Sequence, residues 1–114
     1  METKKKYFLY CNLAGRKYHD ADEVWDKLNV GTILNLERDL NNQYDKNAVA
    51  VTYKDETMKD SLCIGFIPRG DNETIAGFIE MGWTNIFECR ISKKDEKAHP
   101  DQQIQLTIKI LKKE

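Results

Sequence analysis

The sequence predicts a small, mostly β protein, a six-stranded antiparallel OB or SH3-like barrel with one or two short helices. Three observations support this. Several short segments alternate apolar and polar residues, turn residues separate them, and one segment alone has convincing helical spacing. A sheet must bury one face, and closing it into a barrel does so while removing exposed edges. We expect a single domain over residues 1–114, with a core at about 7–111.

The N-terminal part predicts one strand and one weak helix. Residues 6–14 form an aromatic and aliphatic run that Gly15 ends. Apolar residues then recur at roughly helical spacing over 19–28. Asp20 or Asp22 is placed to cap that helix.

The centre of the chain predicts three more strands and the firm helix. Alternating apolar residues indicate strands over 32–38, 49–53 and 62–67. Pro68 ends the last of these because proline cannot donate to a ladder. Apolar residues on one face then predict a helix over 71–81, capped by its first residue, an aspartate, and followed by a glycine.

Two C-terminal strands complete the count. Residues 87–92 and 104–110 alternate apolar and polar side chains, the second with the clearest period of two in the chain. The charged connection 93–102 contains Pro100 and is therefore predicted as a surface loop.

The charge of the chain limits how it can meet nucleic acid. The formal net charge is -1, whereas extended non-specific binding along nucleic acid needs a strongly basic surface. Any contact with nucleic acid must therefore use a local patch.

Cysteine use and hydropathy indicate a cytoplasmic protein. Cys11, Cys63 and Cys89 lie in apolar, strand-like segments, and none belongs to a CxxC motif. Buried, reduced thiols are the expected reading. The basic start of the chain is followed by no long apolar stretch, so neither secretion nor a membrane span is expected.

The polar loop between the second and third predicted strands carries the most informative residues. Within 41–47, Tyr44, Asp45 and Lys46 bring together a ring, a carboxylate and an ammonium. Such a trio can hold a nucleotide, because the ring stacks, the cation pairs with phosphate and the acid accepts from a hydroxyl. The alternatives stay open: Asp45 can instead close an Asx-turn on its own loop, and Tyr44 can cover the barrel end.

Three ordered motifs resemble the HIRAN domain family. The resemblance extends over about residues 7–111. Its motifs are LAGRKYH at 13–19, LNLER at 34–38 with NNQYDKNAV at 41–49, and IGFIPR at 64–69 before a predicted helix.

The resemblance implies both a fold and a function. The family looks like a six-stranded barrel with two helices. It occurs in small bacterial proteins and in eukaryotic DNA-remodelling ATPases, among them the helicase-like transcription factor, where it grips the free 3′-hydroxyl end of single-stranded DNA. This chain has no GxxxxGK[ST] phosphate loop. The implied function is recognition of single-stranded DNA ends in DNA repair, beside a protein partner with ATPase or nuclease activity.

The resemblance also implies roles for individual residues. Asp45 would accept a hydrogen bond from the 3′-hydroxyl and repel a phosphate at the same place. Rings would stack on terminal bases, cations would pair with backbone phosphates, and an amide would bond near the sugar. The matching residues are Tyr18 and Tyr44 for stacking, Lys17 and Arg69 for phosphate, Asn42 for the sugar, and Phe66 facing the ligand.

The chain departs from the family pattern at four places. Gln43 stands where proline is usual, His19 replaces a second aromatic residue, and Pro68 replaces a frequently basic one. No aromatic residue occurs around 101–103. These departures bear on affinity more than on fold.

Two other classes of function compete with this one. For an enzyme, the two histidines are far apart, and no zinc spacing or GxSxG motif is present, so a non-catalytic protein without cofactor or metal is expected. A peptide-binding barrel remains the open alternative. Trp25 and Trp83 can be its exposed anchors, although a tryptophan between Ile79 and Ile86 more often fills a core.

Overall fold

Six antiparallel strands form one sheet in the computed structural model, which describes residues 4–16 and 19–113. The strand order is β1-β6-β5-β2-β3-β4. The mostly β prediction is confirmed, and so are six predicted strands. Their bounds are β1 Lys5–Asn12, β2 Ile33–Arg38, β3 Val49–Tyr53, β4 Leu62–Phe66, β5 Phe87–Lys94 and β6 Ile104–Leu111.

The two ends of the sheet meet, which makes it barrel-like. Ala14, just after β1, and Phe66, the last residue of β4, exchange both backbone hydrogen bonds at 2.8 Å. This approach requires Gly65, because a Cβ there would lie 2.7 Å from the carbonyl oxygen of Ala14 and 2.7 Å from Cδ1 of Leu13. One bridge, not a continuous ladder, therefore joins the sheet ends and places the segment after β1 beside the end of β4.

The helix begins later than the sequence predicted. A 3₁₀ turn, Arg69–Asp71, precedes α1, which spans Glu73–Glu80. The expected cap at Asp71 is wrong, because Asn72 occupies the N-cap position, and its side chain makes no capping bond. The end of the helix agrees with expectation, since Gly82 has a φ of 92°, in the left-handed region.

The weak helix predicted over 19–28 is a 3₁₀ segment, Asp20–Lys27, interrupted at Val24 with φ −125° and ψ 18°. No side chain caps it, so the predicted cap at Asp20 or Asp22 is wrong. Asp22 instead accepts a hydrogen bond from Nη2 of Arg16 at 2.6 Å. The segment covers the core with Ala21 and Val24, and Leu28, which follows it, is buried in the same core.

The core lies inside the curved sheet, under α1 and the 3₁₀ segment. All three cysteines are free thiols; Cys11 and Cys89 are buried in the core and Cys63 is half-buried. Burial raises the pKa of the Cys11 thiol to about 12. None of the helices in residues 4–16 and 19–113 combines the length and hydropathy that crossing a bilayer requires. The largest fully buried apolar side chains are Leu13, Leu28, Val49, Val51, Ile64, Ile75, Ile91, Ile104, Leu106 and Ile108.

Candidate nucleic-acid interface

The loop between β2 and β3 is organised by Asn42. Its Oδ1 accepts hydrogen bonds from the backbone N–H of Tyr44 at 2.9 Å and of Asp45 at 3.0 Å. Its Nδ2 lies 3.4 Å from Oδ2 of Asp39. The Asn42 amide therefore shapes this loop, and the predicted sugar contact would have to share these bonds.

Asp45 is held at both carboxylate oxygens. Oδ1 accepts from the backbone N–H of Asn47 at 2.9 Å, which is the Asx-turn considered from the sequence. Oδ2 accepts from Nδ2 of Asn72 at 2.7 Å. Each carboxylate oxygen has two acceptor positions, so both retain capacity for a further donor. The turn and a ligand contact are thus compatible.

The surroundings of Asp45 favour its charged form. The backbone N–H of Asn47 lowers the pKa of this carboxyl most. Desolvation, the second largest effect, raises it, and Asn72, Arg69 and Arg38 each lower it by less, so the net shift is downward. At neutral pH Asp45 is therefore an anion that only accepts hydrogen bonds. Arg69 begins the 3₁₀ turn that leads directly to Asn72, whose side chain bonds Asp45, so the fold brings the segment of Arg69 to the Asp45 loop.

Two residues that the sequence reasoning missed hold this arrangement in place. Asn72 is 1% exposed and positions Asp45 from the start of α1. The Arg38 side chain is 8% exposed. It donates from Nη1 to the carbonyl of Ala48 at 2.6 Å and from Nη2 to the carbonyl of Lys46 at 2.7 Å. Its Nε donates to Oε1 of Glu80 at 3.1 Å, which ties the loop to α1.

Three predicted site residues project from this framework. Tyr44 is 86% exposed, so it does not cover the barrel end. Lys46 and Arg69 are also exposed. Among residues 4–16 and 19–113, none of these three side chains forms a hydrogen bond or a salt bridge. A ring and two cations near Asp45 are therefore accessible to a ligand.

Phe66 is partly occupied by a contact within the protein. Its ring packs against His19, with centroids 5.0 Å apart and planes tilted by 59°. His19 also places Nδ1 3.9 Å from Sγ of Cys63. His19 is thus a ring neighbour of Phe66 and is only partly exposed.

Lys17 and Tyr18, the other two predicted site residues, lie outside the described residues. Their roles stay predictions. On either side of them, Ala14 pairs with Phe66 and His19 packs on the Phe66 ring.

The end of β4 lies between the segment after β1 and the start of β3. On one side it meets Ala14 and His19, and on the other the N–H of Ile67 donates to the carbonyl of Val49, just after the β2–β3 loop. Within the described ranges, however, no side-chain hydrogen bond, ion pair or ring contact joins Phe66 to that loop. The described site is therefore centred on Asp45, Arg69 and Tyr44.

The two tryptophans differ in environment. Trp25 is half-buried, with the Arg16 guanidinium 4.1 Å and the Lys94 ammonium 4.4 Å from its ring centroid. Trp83 is 52% exposed, so the expectation that it fills the core is wrong. It lies on the turn after α1, where the chain can turn its ring outward. In the described part of the chain, no group of three His, Cys, Asp or Glu is placed to hold a metal ion.

A small antiparallel barrel with an acid and an exposed ring on one braced loop is an arrangement that can hold a ligand. The HIRAN domain model matches residues 6–112, and the chain therefore belongs to the HIRAN domain family. Because HIRAN is a family of binding domains, membership supports a nucleic-acid-binding and non-catalytic role.

Solved structures share the fold. A crystal structure of a Lactobacillus plantarum protein is 23% identical with a TM-score of 0.74, covering 96% of this chain and 97% of that one. The HIRAN domain of human HLTF is 19% identical with a TM-score of 0.66, covering 100% of this chain and 84% of that one. A search of curated proteins found no match. At these identities the structures establish the fold alone.

Proposed function

We propose that this chain is a non-catalytic module that binds single-stranded DNA and recognises a free 3′-hydroxyl end, with residues 1–114 acting as one domain. The observation that carries the proposal is the state of Asp45. It is ionised, fixed by two internal donors, and retains acceptor capacity beside Arg69.

A free 3′ end and a phosphorylated or internal position of the strand differ in one chemical group. A strand end offers a hydroxyl where an internal or blocked position has a phosphate. The Asp45 carboxylate accepts from the hydroxyl and repels the phosphate. Because two donors fix the carboxylate, it is already oriented when the strand end arrives.

The exposed neighbours of Asp45 supply affinity. Tyr44 stacks on a terminal base, a contact worth roughly 1–3 kcal/mol, and Arg69 and Lys46 pair with backbone phosphates. The proposed site further contains Lys17, Tyr18, Asn42 and Phe66.

We also propose a biological setting for this module. Family membership supports action beside a protein partner with ATPase or nuclease activity in DNA repair. Three free cysteines support a reducing compartment, the cytoplasm.

A peptide-binding barrel is the second candidate. One observation favours it: Trp83 is 52% and Met81 76% exposed on the turn after α1, where they offer apolar surface to a partner.

Fluorescence anisotropy with labelled single strands tests the proposal. The native protein should bind a strand ending in a 3′-hydroxyl at least about tenfold more tightly than the same strand with a 3′-phosphate, because one well-placed hydrogen bond and one repulsion differ. Asp45→Ala should remove that preference. Asp60→Ala, at an exposed position before β4, deletes the same charge and should keep it. Equal binding of both strand ends by the native protein would refute end recognition.

A further inference from the structure

Two basic runs meet at the end of β1 that is remote from the bridge to β4. Lys4 precedes β1, Lys5 and Lys6 begin it, and Lys112 and Lys113 follow β6. The N–H of Lys112 donates to the carbonyl of Lys4 at 2.8 Å, so the runs lie side by side. Five of the 18 lysines and arginines thus gather at one place in a chain of net charge -1. Like charges on neighbouring strands repel, so this arrangement favours an anionic partner.

An exposed indole lies next to these lysines. Trp83 and four of these five lysines line a groove of about 830 Å³. We call it the tryptophan–lysine groove. Its defining residues are Lys4, Lys5, Trp83, Leu111, Lys112 and Lys113.

The ion pairs within the protein do not neutralise the lysines of the groove. Lys5 pairs with Glu88 at 2.7 Å, but Glu88 also accepts from Nε of Arg90 at 2.9 Å, so one acid serves two cations. Within residues 4–16 and 19–113, Lys4 and Lys113 form no salt bridge. A polyanion can therefore enter without displacing an existing partner from these two lysines.

The groove and the Asp45 site lie toward opposite ends of β1. β1 starts at Lys5 in the groove, and the chain reaches Ala14 at the bridge to Phe66 nine residues later. At about 3.3 Å per residue, this separates the two ends by roughly 30 Å. A strand of several nucleotides is needed to span that length.

We propose that the tryptophan–lysine groove holds an internal stretch of the single-stranded nucleic acid whose 3′ end occupies the Asp45 site. The lysines pair with its phosphates, and Trp83 stacks on one of its bases. An aromatic face bordered by cations is the combination that binds single strands without regard to sequence. An acidic peptide can pair with the lysines but does not require a ring, whereas every base offers a face that stacks on one, so a ring bordered by cations favours nucleic acid. The inference rests on the proposed function, because it places the rest of the same strand.

Strand length separates the two sites experimentally. We compare a 4-nucleotide and a 16-nucleotide DNA, both with a 3′-hydroxyl, since only the longer strand can reach the groove. The triple variant Lys4→Gln, Lys112→Gln, Lys113→Gln should bind the 16-nucleotide strand at least about tenfold more weakly. Its slope of log K against log salt should be less steep by about 2, for three lost phosphate contacts. The 4-nucleotide affinity and the preference for a 3′-hydroxyl should not change.

A matched variant controls for total charge. Lys54→Gln, Lys59→Gln, Lys97→Gln removes three exposed charges from loops outside the groove and should leave the slope near the native value. In a Trp25→Phe background, fluorescence reports Trp83 alone and should be quenched by the 16-nucleotide strand.

The outcomes separate this inference from the proposed function. If the groove variant binds the long strand as the native protein does, while Asp45→Ala still removes the 3′ preference, the groove inference is overturned and end recognition stands. If long-strand binding depends on the lysines but no 3′ preference exists, the groove is supported as a nucleic-acid surface and end recognition fails. If polyglutamate displaces the long strand at equal concentration of charges, the groove is an acidic-protein site and the inference is overturned.

Discussion

The β2–β3 loop and the tryptophan–lysine groove are both polar surfaces, but they are built in opposite ways. In the loop, the side chains of Asn42 and Asp45 form hydrogen bonds within the protein. Arg38, at the end of β2, donates to the carbonyl of Ala48, and Asn72 donates to Asp45 from the start of the helix. In the groove, Lys4 and Lys113 have no ion pair with any described residue. Internal bonding fixes geometry, whereas unpaired cations attract any polyanion. We therefore expect the loop to supply specificity and the groove to supply salt-dependent affinity.

The largest expected effect comes from disrupting the contact at Gly65, where the two ends of the sheet meet. Gly65→Ala should lower the free energy of unfolding by about 3 kcal/mol, at the upper end for overpacking, because the new Cβ meets the Ala14 carbonyl and Leu13 at 2.7 Å. Urea denaturation measures it. Gly70→Ala is the matched control, since a Cβ there has nothing within 4 Å. If the two variants were equally stable, the bridge would not be holding the barrel together.

Replacing Arg38, whose side chain bonds the β2–β3 loop and α1, should have the next largest effect. Arg38→Met removes charge-assisted bonds to the carbonyls of Ala48 and Lys46 and leaves Glu80 unpaired. We expect a loss of about 2 kcal/mol in unfolding free energy. We also expect faster amide exchange over 39–48, with the groove residues unchanged. Arg90→Met, at a side chain that is 41% exposed, should cost well under about 1 kcal/mol. Uniform exchange across the chain would contradict a local clamp.

The bond that orients Asp45 should have a smaller effect on stability but a clear one on recognition. Asn72→Ala deletes the donor to Oδ2 and should cost about 1 kcal/mol in unfolding free energy. It should also reduce the preference for a 3′-hydroxyl in the anisotropy assay, because the carboxylate is no longer fixed. Ser61→Ala, at an exposed position outside the groove, is the control for both readouts. An unchanged preference would show that Asn72 only supports the fold.

The smallest expected effect is the pH dependence of DNA affinity, and its sign follows from the lowered pKa of Asp45. Because the pKa of Asp45 is lowered in the folded protein, its stabilising contribution is present above the ordinary carboxyl pKa of about 3.9 and is lost only as pH falls through the lower folded value. Asp45 should thus remain charged between pH 5 and pH 8. A terminal phosphate gains its second charge near a pKa of about 6.

Affinity for the 3′-hydroxyl strand should therefore stay constant from about pH 5 to pH 8, while the 3′-phosphate strand binds a few-fold more weakly as the pH rises. Anisotropy titrations across this range measure both. A strand carrying its phosphate at the 5′ end should not show the trend. Loss of 3′-hydroxyl binding between pH 7 and pH 5 would exclude Asp45 as the acceptor.

Sequence reasoning predicted the repetitive parts of the fold well because they depend on local pattern. The alternation in β6 and the left-handed glycine at Gly82 both correspond to what the structure contains. The short helix predicted over 19–28 is present as a 3₁₀ segment, Asp20–Lys27, because its apolar spacing is compatible with short 3₁₀ turns as well. Trp83 was misplaced because the sequence does not show which way a side chain on a turn points.

The candidate site was predictable only in part. The chemical character of Tyr44, Asp45 and Arg69 is visible in the sequence, and the structure groups them. Arg38 and Asn72 gave no such signal. Arg38 binds a helix residue 42 positions away, and Asn72 binds a carboxylate 27 positions away. Contacts over such separations arise only when the strands have taken their register.

The amino-acid order by itself determined the strands, the barrel class and the family, because those follow from alternation, turn residues and ordered motifs. The tertiary structure alone decided that Asn47 and Asn72 fix the Asp45 carboxylate, and that the two lysine runs meet beside Trp83. The reason is physical: the orientation of a carboxylate and the repulsion between cations depend on which groups lie within a few ångströms, and folding sets those distances.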